Sequence, residues 1–566
     1  LRKATVARRS STNLFNSGKF VTRFSIVRPI YLSSKHYGNE ICVRFGPVNT
    51  TCRFTGKLPA TRKIGAVGMS SFSNDAVAEN LDKVIRREFS LPTKDRRIAT
   101  RPFLDFAPSC RSAVTAVQSA LSQRADSGDV ETRIRFREYE LLDRISRLLG
   151  YSRIDTSGVF DLSHDLTQWY GFLLAHGSHE MVSHQGRDSR LIISGRYCSS
   201  VEAYLTMSLL SRQSLTRIPT RTDGETDVDR VMNYLESCFR RGIAIGGILL
   251  STGQLYTGAS DPVAAILEET DRLRQQYGVL NRPHIRLDIP LHWPLLLFRN
   301  YDFRRNPLVL PERASTAIES IRGALAACAQ SDSCSINLGR WGYSPLPLSL
   351  LIVKNYKQLR LLVPDTVTTR LESKPDSGFP QRVSSPASAT KLYSLEGLVA
   401  SFTELGEHGL QHLAAGSIDR ACYLKTRLQE YGDNHVLFPG ATSPLVSFRR
   451  YPTKMGNEAA HHFREEVRAL HSGNSALLRA NTIWHFQQFS RRKERGLRTA
   501  WLTAAHLIDE RAERMEPLAA ETAAMMDPHI THAHIDAFIE TLHRETASGE
   551  PVLNQSKVAE ADSEYS

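Results

Sequence analysis

The sequence predicts an α/β protein built on a central mixed sheet with helices on both faces, and three observations predict it. Between residues 151 and 365, short apolar runs ("RLIISG", "AIGGILLS", "HIRLDIP", "CSINL", "LSLLIVK") alternate with longer amphipathic stretches. Strands separated by helices build a parallel or mixed sheet that is buried on both sides. A chain of 566 residues is long enough for two or three domains with at least one large core. Its composition, 41% hydrophobic and 23% charged, is ordinary for a globular protein. The longest apolar stretch, "IPLHWPLLLF", is too short to cross a bilayer and holds His292 and two prolines, so no transmembrane segment is expected.

Taken in order, residues 1–77 form a basic extension. The first 74 residues hold thirteen Lys and Arg against one acid, Glu40; subtraction from 72 basic and 59 acidic residues leaves 59 and 58 in the rest of the chain. The net charge of +13 therefore belongs to the extension and not to the body. An arm rich in Arg, Ser, Thr and Asn and poor in acids has the composition of a mitochondrial transit peptide, which predicts a mitochondrial matrix location. Kept on the mature chain, the same arm suits a polyanion, RNA above all, with Arg2, Lys3, Arg8, Arg9, Arg23 and Arg28 as the residues that would meet phosphate. Composition leaves both readings open.

Residues 78–150 read as a helical segment. In "YELLDRISRLLG", Leu141, Leu142, Ile145, Leu148 and Leu149 share one face and Gly150 closes the end. Residues 151–365 are the large α/β domain. Within it, "DPVAAILEETDRLRQQYG" offers Asp261 as N-cap, Pro262 at the first helical position and Gly278 at the end. Residues 366–392, rich in Ser and Pro, predict a loop or linker. Residues 393–548 predict a smaller C-terminal α+β domain: helices over 394–431, a strand around "PLVSFRRYP", then helices over 456–522 and 533–545. Residues 549–566 read as an acidic tail.

Several clusters are set aside on their spacing. The eight cysteines are scattered without a C-x-x-C pair, which fits reduced thiols better than disulfides or a zinc site. His529, His532 and His534, and His461 with His462, lack a metal-ligand spacing, so no metal is expected. Arg491, Arg492, Lys493 and Arg495 read as a solvated helix face.

A set of longer stretches carries more information. "SGVFDLSHDLTQWYGFLLA", "LIISGRYCSSVEAYLTM", "IPTRTDGETDVDRVMNYLESCFRRG", "LLSTGQLYTGASDP", "HIRLDIP" and "DSCSINLGRWGYSPLPLSLLIVKN" follow one another between residues 157 and 355. In this order they resemble the landmarks of the group II pyridoxal-phosphate (PLP)-dependent decarboxylases, the family of glutamate and aromatic amino acid decarboxylases. The resemblance spans roughly residues 80–545. It implies a PLP-dependent transferase-like fold of the aspartate aminotransferase type. It also implies a homodimer with its active site at the subunit interface, and a lysine, just before the Trp matched by Trp341, that holds the cofactor as a Schiff base.

Carried over residue by residue, the resemblance points to lost chemistry. The lysine is matched by Arg340 and the histidine before it by Gly339. A guanidinium stays protonated and delocalised, so it does not form a Schiff base. The glycine-rich phosphate turn is matched by Ser163, His164 and Asp165, the ring-stacking histidine by Cys198, and a threonine of the central loop by Gln254. In "HIRLDIP", Arg286 stands for the histidine of H-x-D-A-A, and Ile289, followed by Pro290, for a small Ala. Asp288 alone is kept, at the position that pairs with the pyridinium nitrogen. The loop that carries a catalytic tyrosine should fall near 366–392, where there is no Tyr. Asp288 is expected to form an ion pair with Arg286 and Arg340 in an emptied pocket, in preference to retained cofactor binding.

The expectation is thus a pseudoenzyme with no catalytic residue and no bound PLP. Its vestigial pocket comprises Ser163, His164, Asp165, Cys198, Gln254, Asp288 and Arg340. Such a chain would serve as a structural subunit of a large mitochondrial assembly. The mitochondrial ribosome comes first, with ribosomal RNA met by the arm and a homo- or heterodimer formed through the ancestral interface. A respiratory or ATP synthase supercomplex, and an active or regulatory PLP-dependent amino acid decarboxylase, are the alternatives.

Overall fold

The computed structural model describes three short strands within residues 35–54 and, apart from residues 90–107, 123–126, 183–188, 196–213, 222–223, 256, 363–388, 452–457, 495–498 and 510–513, residues 74–546. The six arm residues named above, Cys198, most of the 366–392 linker and the acidic tail lie outside the described residues. The chain divides into two compact units, Leu1–Gly68 and Met69–Ser566. In the first, β1 (Lys35–Tyr37), β2 (Glu40–Phe45) and β3 (Thr50–Phe54) form an antiparallel meander.

The second unit opens with helices α1 (Asn74–Glu88), α2 (Arg111–Ser122) and α3 (Ser127–Leu149). The apolar face read from α3 is the buried one, with Leu141, Leu142, Ile145 and Leu149 in the core. Gly150 ends the helix at φ 79°, a backbone angle that glycine adopts without strain. Next come β4 (Ser157–Asp161), α4 (His164–Val182), β5 (Arg190–Ser194), β6 (Leu215–Ile218), α5 (Val228–Arg240), β7 (Ile245–Ser251), α6 (Val263–Gln276), β8 (His284–Ile289), β9 (Ser333–Asn337) and β10 (Ser349–Val353). Two short helices, α7 (Glu312–Ser320) and α8 (Arg322–Ala327), lie between β8 and β9.

The strands form the mixed sheet that the apolar runs predict, in the order β4-β10-β9-β8-β7-β5-β6. β9, β8, β7, β5 and β6 are parallel, while β10 runs antiparallel to both β9 and β4. Every residue of β7 to β10 is buried, so both faces are covered. α4 packs on the face that carries Leu191, Ile193 and Leu249. The opposite face, with Ile192, Ile248, Leu250, Ile285, Leu287 and Ile289, belongs to the main core. Side chains alternate along a strand, so Arg286 and Asp288 share the α4 face. Ile289 points away from them.

Three sequence expectations need correction. Asp261 does not cap α6: Pro262 holds the N-cap position and no side chain bonds there. Asp261 instead turns inward and accepts from Thr226 Oγ1 and Ser251 N, each at 2.7 Å, and burial pushes its pKa up to about 6. The linker ends early, because helix α9 (Ala389–Glu430) starts inside it and runs on with one interruption, at Gly406 (φ 65°, ψ −179°). Finally, residues 500–524 are not helical.

Those residues form a hairpin in the C-terminal sheet, whose strands are β11 (Asn434–Val436), β12 (Leu445–Arg450), β13 (Ala500–Asp509) and β14 (Arg514–Ala524). The antiparallel order is β11-β12-β14-β13, flanked by α10 (Glu458–His471), α11 (Ala476–Glu494) and α12 (His532–Thr546). The alanines of "RMEPLAAETAA" favour a helix, and Pro517, which precedes all four of them, would not forbid one that starts there. In β14, Glu516, Leu518 and Ala520 are buried while Pro517 is exposed, the period of a strand. On β14, β12 reaches only residues 521–524, so Pro517 sits where β14 has a single neighbour, β13. Arg492 is also misplaced by the solvated-face reading. It is 1% exposed and bonded to Glu521, which His485 also approaches at 3.4 Å. No helix among the described residues is long and apolar enough to cross a membrane.

Candidate functional site

The site lies where α4 begins, at the end of β4, and faces the C-terminal end of β8. Ser163 N donates to Asp161 Oδ1 at 2.9 Å, and Ser163 Oγ accepts from Leu166 N at 3.3 Å. This is an N-cap: the serine takes up one of the amides that a helix start otherwise presents to a ligand. Asp165, exposed in the first turn, is favourable toward the helix dipole and unfavourable to an incoming anion.

One turn apart on α4, His164 and Gln168 reach the same carboxylate. Gln168 Nε2 donates to Asp288 Oδ2 at 2.6 Å, and His164 Nε2 lies 3.0 Å from Oδ1. The two side chains touch each other at 3.1 Å. Asp288 is 4% exposed, and a buried carboxylate needs such partners. The expected ion pair with Arg286 and Arg340 is therefore replaced by contacts from α4. The pocket is not emptied around Asp288 but filled by the chain's own side chains. Sequence reading missed Gln168; its i, i+4 spacing from His164 was the available signal.

Arg286, fully buried two residues earlier on β8, anchors the same helix. Its Nη2 donates to Ser335 Oγ at 2.7 Å and to the Gln168 carbonyl at 3.3 Å, while Ser335 Oγ donates to the Thr167 carbonyl at 2.9 Å. The guanidinium lies so close to α4 that a Cβ at Gly171 would fall 1.7 Å from Nη1. Glycine at 171 is what admits it.

Gln254, in the loop after β7, is 4% exposed and accepts from Thr257 Oγ1 at 3.1 Å, while its buried Nε2 has no acceptor among the described residues. Beside it, Gly253 (φ 69°) carries the ring of His292, whose Cγ would be 2.0 Å from a Cβ there. His292 Nε2 bonds the Thr442 carbonyl at 2.6 Å, which makes Nε2 the protonated nitrogen. Burial pushes its pKa down to about 4.

Arg340 stands in the loop after β9 and is half-buried. Its backbone N–H bonds Asn337 Oδ1 at 3.2 Å. The flanking aromatics hold the loop: Trp341 Nε1 donates to Tyr343 Oη at 3.0 Å, and both rings are buried. Tyr343 adopts φ 54°, and its carbonyl accepts from Cys110 N at 2.9 Å.

Three lysines elsewhere are spent on structure. Lys391 pairs with Glu138, both nearly inaccessible; Lys425 bonds the carbonyls of Pro439 and Ala441; Lys354 bonds the Ala329 carbonyl at 2.9 Å. Among the described residues no group of three or more His, Cys, Asp or Glu could hold a metal ion. His532 stacks on Tyr423 and meets Asp419 at 3.0 Å, and His462 stacks on Tyr451.

The seven-stranded mixed sheet with a smaller antiparallel sheet is the architecture of the PLP-dependent transferases of fold type I. The chain is structurally similar, at low identity, to solved group II PLP-dependent decarboxylases. An Oryza sativa TDC with PLP and tryptamine superposes with a TM-score of 0.55 at 14% identity, covering 85% of this chain and 90% of that one. Catharanthus roseus tryptophan decarboxylase in complex with L-tryptophan gives 0.54 at 12% identity, over 86% and 91%. Mouse CSAD gives 0.52 at 14% identity, over 82% and 91%. At such identities the likeness is one of fold. No family profile matches the sequence, and no curated protein does.

Proposed function

We propose that this chain is a decarboxylase-fold protein without PLP chemistry, acting as a structural subunit of a large mitochondrial assembly. The mitochondrial ribosome suits it best. The observation that carries the reading is the engagement of Asp288 by His164 and Gln168. Asp288 stands where the resemblance puts the cofactor's pyridinium partner; its Oδ2 is held by Gln168, and the His164 ring stands 3.0 Å from Oδ1. Arg340, at the lysine position, cannot supply the amine, and Ser163 Oγ and Asp165 disfavour a phosphate at the head of α4. The residues present do not fit PLP. The arm, with thirteen basic residues against one acid in the first 74, is the complement of ribosomal RNA.

Two measurements test this. Mixing the purified protein, and its Arg340→Lys variant, with PLP should yield no yellow colour that borohydride bleaches. A bleachable Schiff base and amino acid decarboxylation in the single variant would overturn the lost-pocket reading. Sedimentation of a mitochondrial lysate should place the chain with a ribosomal subunit and release it on ribonuclease treatment. A light peak at dimer size would refute the assembly role; a heavy peak indifferent to ribonuclease would favour a respiratory or ATP synthase complex instead.

A further inference from the structure

A second cavity shares no residue with the Asp288 site. It holds about 330 Å³ between α3, the 3₁₀ turn Trp293–Phe298 and α9. The interruption at Gly406 explains why it exists. A straight helix would carry Phe402 and Leu410 along one line, whereas the φ of 65° at Gly406 breaks that line, and no atom lies within 4 Å of where its Cβ would be. A space opens beside the break.

The lining has two characters. Its deep part is apolar: Trp293, Leu297, Phe402 and Leu410 are each under a tenth exposed. The Trp293 and Phe402 rings sit 5.3 Å apart at 36°, and the buried Trp293 Nε1–H has no acceptor among the described residues. Its outer part is cationic, with Arg144, Arg147 and Arg299 against one acid, Glu407. Arg144 and Arg147 pair with Glu140 and Asp143 at 2.9 and 3.0 Å. Arg299 has no acidic partner among the described residues; it donates to the Arg147 carbonyl at 3.4 Å.

The geometry points to a binding site for a small aromatic carboxylate, with its rings against Trp293, Phe402 and Leu410 and its anion among the arginines. The volume is at the lower end of ligand pockets, about 300–1,000 Å³, enough for a two-ring body. An apolar wall with a few convergent charges is how such sites fix orientation. The inference stands independently of the function proposed above.

Equilibrium dialysis of the full-length protein against 1-naphthoate and its neutral analogue 1-naphthamide tests it. Naphthoate should bind saturably, and the amide about tenfold more weakly, the loss of roughly 1.4 kcal/mol of charge attraction. Leu410→Trp, which fills the cavity, should abolish binding. Arg144→Gln with Arg147→Gln, which removes two cations of the rim together with their pairs to Glu140 and Asp143 within α3, should weaken it about tenfold, and Glu407→Gln should strengthen it about threefold. Equal binding of acid and amide, naphthoate binding unchanged in the arginine double variant, or no saturable binding at about 10 mM probe would each overturn the proposal.

Discussion

Gly171→Ala is the sharpest probe of how the Asp288 site is filled. The added Cβ would stand 1.7 Å from Arg286 Nη1 and 2.0 Å from Cζ, against an ordinary carbon contact of about 3.5–4.0 Å. Arg286 is 0% exposed, so the guanidinium can yield only by giving up its 2.7 Å bond to Ser335 Oγ. A hydrogen bond from a charged donor contributes about 1.5–3 kcal/mol, and overpacking costs about 1–3 kcal/mol. Against this, alanine gains about 0.5–1 kcal/mol over glycine inside a helix. The net loss is about 2–5 kcal/mol. A unit of about 500 residues unfolds with an entropy near 1 kcal/mol/K, so Tm should fall by about 2–5 °C. Thermal unfolding followed by circular dichroism reads it. In an Arg286→Ala background the space is open, and the same change should be neutral or stabilising by up to about 1 kcal/mol. An equal loss in both backgrounds would refute the packing of Arg286 on Gly171.

Further outcomes follow from the buried charges. Glu466 is fully buried and accepts from Arg449 Nη2, Asn481 Nδ2 and Tyr451 Oη at 2.6–2.9 Å. Glu466→Ala strands the Arg449 charge and should cost about 3–5 kcal/mol by urea unfolding, while the Arg449→Met, Glu466→Leu pair should recover most of it. His284, His292, His435 and His485 are held down at about 4, chiefly by burial. Their unfolded forms take up protons near pH 6.5, so stability should fall as pH drops from about 6.5 to 4. Asp261, raised to about 6 by burial, works against this: the folded state gains its proton first, adding stability between about 6 and 3.8. Four groups outweigh one, so a urea midpoint that rises from pH 7 to pH 5 would refute the balance. Glu521, held near 2 by Arg492 and His485 against the opposing effect of burial, adds a loss below about pH 4.5 that His485→Gln should reduce.

Local pattern along the chain determined the α/β class, the apolar face of α3 with its Gly150 end, the strand-forming runs and the ordered landmarks. Each of these rests on periodicity or a turn residue within a few positions. The concentration of charge in the N-terminal arm is equally a property of sequence alone. Residues 500–524 misled because alanine propensity is weak, and pairing of β14 with β12 and β13 decided the outcome. Asp261 misled for a related reason: the N-cap role competes with a buried amide of β7 and a buried hydroxyl of the turn before α5, Ser251 N and Thr226 Oγ1. The partners of Asp288 were beyond reach. Arg286 and Arg340 are near it in the landmarks, but His164 and Gln168 meet it only because α4 packs on the face of the sheet that carries Arg286 and Asp288. That packing depends on one glycine, Gly171, whose missing Cβ lets the Arg286 guanidinium lie against the helix. Which charge pairs with which is a question of distances between elements far apart in sequence, and only the tertiary structure sets them.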